Sequence, residues 1–143
     1  MAIAFPFLLL VVAGVVDLGM LYWEKQVITN ASREGARAAA KAGISGAAAQ
    51  TVAQVRQMVQ DYVDNFNLKD AAGAPLVLTT GTNFFYQWDL SSNPPKLWVE
   101  LKDIPVRLVL LPAIMPFYGG GLGSVVNLNA KTTMAAEWSN PPS

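Results

Sequence analysis

Residues 1–23, MAIAFPFLLLVVAGVVDLGMLYW, form an apolar run of membrane length, and the residues after it read as the same helix continuing into water. At about 1.5 Å per residue such a helix crosses a hydrocarbon core of about 30 Å. Asp17 is the one charge inside it. Tyr22 and Trp23 close the run with rings that prefer the headgroup level, and Glu24 and Lys25 follow at once. A cleaved signal peptide would need a basic n-region and a short apolar core. Neither is present, so a retained anchor is the expectation. Left bare in water, this much apolar surface would be prohibitive, so the segment belongs in lipid or in the core of a polymer.

Beyond Trp23 the chain turns polar and alanine-rich, EKQVITNASREGARAAAKAG, without a proline from Leu8 to about Ala42. Pro6 sits in the first turns, where a missing N–H costs least. Ala31, Gly35, Ala39 and Gly43 recur every fourth residue and line one face. Gly35 costs about 1 kcal/mol in a helix interior, so it asks for a packing reason: small residues let another helix approach closely. Gly14 and Gly19 inside the anchor join that set of helix-packing candidates.

Gly43-Ile44-Ser45-Gly46 predicts a break, and a second helix follows over about Ala47–Phe66. Its apolar positions Val52, Val55, Val59, Tyr62, Val63 and Phe66 fall on one face. Pro75–Thr80 and Phe84–Leu90 read as strands about a turn at Gly81. Leu97–Lys102 alternates with Leu97, Val99 and Leu101 on one face; Val106–Leu111 is a further apolar run; Val125–Trp138 alternates with Val126, Leu128, Ala130, Thr132, Met134 and Ala136 on one face. Residues 112–123, with two prolines and four glycines, read as a flexible loop that exposes Phe117 and Tyr118 as head contacts. NPPS ends the chain as a tail. The fold class expected is therefore α+β. Residues 1–44 form a long N-terminal helix, with 1–23 as anchor, and 45–143 form a globular head of one packed helix and four to five antiparallel strands.

The 143 residues carry a net charge of +0 and no basic run, so no nucleic-acid footprint is expected. There is no cysteine and no histidine, which removes thiol chemistry and the commonest general base and metal ligand. The close acidic pairs are Asp61 with Asp64 and Glu100 with Asp103, and the first pair lies on a helix's solvent side. GGGLG at residues 119–123 is not followed by a phosphate-binding helix. No enzyme, cofactor or metal is expected.

Asp17 needs a partner, because a carboxylate inside an anchor costs about 2.5–3.5 kcal/mol on insertion scales. One reading gives it a neighbouring subunit's amine, Lys25 or Arg33; the other lets it snorkel to water. Arg33 and Arg37 share a face. Glu34 can pair with Arg37 within the helix, or both arginines can meet acidic groups of a neighbouring subunit.

FPFLLLVVAGVVDLG at residues 5–19 and NASREGARAAA at residues 30–40 resemble the TadE family, pilin-like proteins of the tight-adherence (Tad) branch of type IV pili. LNAKTTMAAEW at residues 128–138 is similar to that family's alternating C-terminal strand. The resemblance implies a homo-oligomeric helical filament with the anchor in its core. It also implies storage in the bacterial inner membrane before assembly, a surface filament afterwards, and dealings with pilus assembly machinery and a prepilin peptidase. Pilins of this kind carry a basic leader and a glutamate near the mature N-terminus. Aligned on Pro6, that glutamate would fall just before Met1, which fits a mature or trimmed form or a member that does without it. A minor, priming pseudopilin and a permanently anchored binding module are the alternatives.

Overall fold

The computed structural model describes residues 4–41 and 50–137. The expected break at residues 43–46, Gly43 itself, Trp138 and the tail lie outside them. Helix α1 runs Ala4–Lys41, 38 residues, or about 57 Å. Helix α2 is Val52–Asn65, begun by a capping box: the Thr51 hydroxyl accepts from the Gln54 N–H while the Gln54 side chain accepts from the Thr51 N–H. Strands β1 (Phe84–Asp89), β2 (Lys96–Arg107) and β3 (Val125–Ala135) form one antiparallel sheet in the order β1-β2-β3. Between β2 and β3 lie a short helix α3, Leu110–Ile114, and a 3₁₀ turn, Met115–Tyr118.

The architecture is α+β: a long N-terminal apolar helix, one further packed helix and a small antiparallel sheet. The sheet's inner face carries Phe84, Leu97, Val99, Leu101 and Ile104, all buried. Val55, Val59 and Val63 of α2 close the core from one side, and the second half of α1, through Val27, Ile28, Ala31, Ala36 and Ala39, from another. The alternation expected in β2 and β3 and the buried face expected for α2 are both present, although Phe66 is exposed and stacks on Tyr62.

Three details differ from expectation. First, the described residues hold three strands rather than four to five. Residues 75–80 are extended but make only isolated bridges, Pro75 with Lys69 and Thr80 with Phe84, and side chains take much of their backbone bonding. Gln60 donates to the Leu76 carbonyl and accepts from the Leu78 N–H, while Asn83 accepts from the Thr79 N–H and donates to the Val77 carbonyl. Second, residues 97–102 and 106–107 belong to one strand. Lys102 and Asp103 bulge opposite Asn129, whose side chain accepts from the Asp103 N–H, so that Leu101 and Ile104 both face inward. Asp103 has φ 53°, the left-handed conformation such a bulge can require. Third, residues 110–118 are helical rather than loop, for a reason that lies in α1.

Candidate functional site

The first half of α1 has most of its surface open: Phe5, Phe7, Leu8, Val12, Val15 and Leu18 are all exposed. The helix is long and apolar enough to cross a membrane. One face of this half is covered. After Arg107 the chain leaves the sheet, and the Leu108 N–H donates to the Ser124 carbonyl at 2.8 Å, closing the neck of a hairpin. The hairpin lies along α1. Leu111 is the side chain nearest Gly14, and Ile114, Phe117 and Tyr118 form, with Pro6 and Leu9, an apolar groove of about 370 Å³.

Asp17 joins the two. Its side chain is 1% exposed and accepts from the backbone N–H groups of Val109 (3.2 Å), Leu110 (3.0 Å) and Leu111 (2.6 Å). These are the donors that the start of a helix leaves without intrahelical acceptors, so a residue more than ninety positions upstream caps α3. Gly119, at φ 73°, turns the hairpin back, with its N–H on the Pro116 carbonyl. Asp17 therefore has its acceptors engaged within the chain. Its carboxylate is taken up by its own chain's backbone, and its burial keeps it from snorkelling.

The small-residue face is likewise used inside the chain. Ala31 and Ala39 are 0% exposed, and a Cβ on Gly35 would stand 2.5 Å from Val59 Cγ2 and 3.6 Å from Val99 Cγ1. The close approach expected of this face is made by α2 and β2. Within the chain, the helix that approaches is α2. Beside this face Ser32, also buried, donates its one proton to the Thr29 carbonyl and so accepts from the Thr132 hydroxyl at 2.7 Å. Lys25 reaches the Asn129 carbonyl, fixing α1 to β3 just past the apolar run. Glu24 beside it is half-buried, and desolvation pushes its carboxyl above the usual range.

Arg37 pairs with Glu34 at 2.9 Å within the helix, with both side chains more than half exposed, a contact worth about 0.2–0.5 kcal/mol. Arg33 is exposed and lines a shallow polar groove with Lys25, Gln26, Thr29 and Asn30. Gly19 faces open space, with nothing within 4 Å of a Cβ placed there. Phe117 is exposed as expected, at 88%, and so is Tyr118, and both lie beside the start of α1.

Two features were missed in the sequence: the capping role of Asp17 and the clamp formed by Gln60. A run of apolar residues entered through unpaired N–H groups, LVLLP, is a signal for the first only when an orphan carboxylate is sought alongside it. Among the described residues no three His, Cys, Asp or Glu side chains gather as a metal site.

The family model of TadE-like proteins matches residues 1–37. That span takes in FPFLLLVVAGVVDLG whole and NASREGAR of the second motif, so the resemblance read from those residues is borne out there. None of the curated proteins and none of the solved structures compared matches the chain.

Proposed function

We propose that this chain is a structural subunit of a Tad-type pilus system, held in the bacterial inner membrane by residues 1–23 and then polymerised through that same surface into an extracellular filament. The supporting observation is the continuity of α1. Its first half is a TadE-like apolar helix left exposed, and its second half is built into the head's core. Moving the first half from lipid into a bundle of like helices exchanges one apolar surrounding for another, so assembly need not expose it to water. A head-to-tail interface that does not close on itself extends as a fibre. Gly19, Arg33 and Arg37 stand open on α1 and are the residues we assign to contacts between subunits. Asp17, Gly14, Ala31, Gly35 and Ala39 support those contacts indirectly, by shaping the subunit. Pilus assembly proteins and a prepilin peptidase are the partners this reading calls for, and it asks for no catalysis.

A second reading has its own support. The hairpin covers the Ala13–Asp17 face of α1, so copies cannot surround this helix on every side. A minor pseudopilin at the end of a filament would need only the open side. Shearing of producing cells tests both readings. A major subunit appears in the sheared, sedimentable fraction as its principal protein, and Arg37→Glu removes it while the head stays folded. A minor subunit appears there in trace relative to another pilin. Complete retention in the membrane fraction contradicts both.

A further inference from the structure

We infer that residues 108–123 enter the bilayer beside α1 as a second membrane-embedded element, a hairpin with Asp17 as its joint. This rests on the reading that residues 4–23 lie in lipid. If they do, the hairpin is carried to the same depth, because it is fixed to that half of the helix. Leu111 faces Gly14, and Phe117 and Tyr118 reach Pro6 and Leu9. Leu9 lies about 21 Å along the axis from Trp23, well inside a hydrocarbon core of about 30 Å.

The hairpin's composition suits that place. Residues 108–124 carry no charge, and Val109, Phe117 and Leu122 stand exposed to whatever surrounds α1. Arg107, the last charge before it, is exposed at the neck.

The backbone makes the stronger case. In hydrocarbon every N–H needs an acceptor, which bars ordinary loops. Here Val109, Leu110 and Leu111 donate to Asp17, Met115 to the Leu111 carbonyl, Gly119 to Pro116 and Gly120 to Met115. Pro112 and Pro116 have no N–H to satisfy. The descending arm is thus closed by the anchor's one carboxylate, and the anchor's one carboxylate is closed by the arm. Only Gly121–Gly123, in the ascending arm, lack a described acceptor, and that stretch must find water or a polar headgroup along its course. The surface's occupant is lipid, since it is continuous with the exposed face of the membrane helix.

The absence of cysteine allows a direct test. Single-cysteine variants Phe117→Cys, Val15→Cys and Leu90→Cys of the full chain are placed in nanodiscs of phosphatidylethanolamine and phosphatidylglycerol. Labelling by a membrane-impermeant maleimide is then timed, with complete labelling after denaturation as the control. We expect Phe117→Cys and Val15→Cys to react at least about tenfold more slowly than the head variant Leu90→Cys, since access governs thiol reactivity. Rapid reaction at Phe117→Cys with protection at Val15→Cys overturns the hairpin's insertion and leaves the anchor intact. Rapid reaction at both overturns the anchor and the hairpin together. Protection at Phe117→Cys that vanishes with one chain per disc overturns lipid as the occupant, in favour of a second copy.

Discussion

The two halves of α1 are built on opposite rules. From Val27 to Ala40 the inward residues are buried, and small from Ala31 onward, while the outward ones are mostly polar. From Phe5 to Trp23 the outward residues are large and apolar, and the inward ones include a carboxylate. The second half is a helix packed in water, where apolar burial drives the contact. The first half is packed for a surrounding as apolar as its own side chains, where hydrogen bonds and small residues decide what touches what. The same lesson holds for the two buried polar groups of α1. Ser32 bonds to a hydroxyl across a well-formed core, whereas Asp17 captures the start of a helix that otherwise has little to hold it.

The largest expected effect is at that joint. Asp17→Ala leaves three N–H groups without acceptors, at about 1–3 kcal/mol for each buried donor. Hydrogen exchange should show the amides of Val109–Leu111 losing protection while those of α2 keep it. Unchanged protection would mean the hairpin is held by apolar contact alone. Next comes the same substitution made in each half. Gly35→Val drives a side chain into Val59 and should destabilise the head by about 1–3 kcal/mol, whereas Gly19→Val meets open space and should leave the head's melting temperature unchanged. Equal effects would break the distinction between the halves. Ser32→Ala should cost about 1 kcal/mol in denaturant unfolding, and Leu8→Ser in the exposed half nothing measurable there.

The smallest effect belongs to the head's surface. The Ser91 and Ser92 hydroxyls and the Ser91 N–H hold the Asp89 carboxyl down at about 2, against an ordinary 3.8. Because the folded value is the lower one, its contribution is complete above 3.8 and is lost as pH falls through about 2. An NMR titration should show the β1–β2 turn loosening across that window, less so in Ser91→Ala, with α1 unmoved.

Much of this was legible in the sequence. The long apolar helix at the start is a signal of composition, the buried face of α2 and the alternation of β2 and β3 are signals of period, and all are found in the structure. The spacing of Ala31, Gly35 and Ala39 announced a close approach, but spacing cannot say which helix approaches, and within the chain it is α2. LVLLP looked like the end of a strand, since five apolar residues carry no period and the helix there depends on a cap from Asp17. Residues 75–80 have strand composition, but Gln60 and Asn83 take much of the bonding that a neighbouring strand would have made.

Cryo-electron microscopy of filaments sheared from producing cells tests the division of α1 most directly. We predict filaments containing this chain, with residues 4–23 against neighbouring copies near the axis and residues 27–40 inside separate heads on the outside. Filaments in which residues 4–23 face solvent, or sheared material that never contains the chain while it stays in the membrane as a monomer, would contradict it.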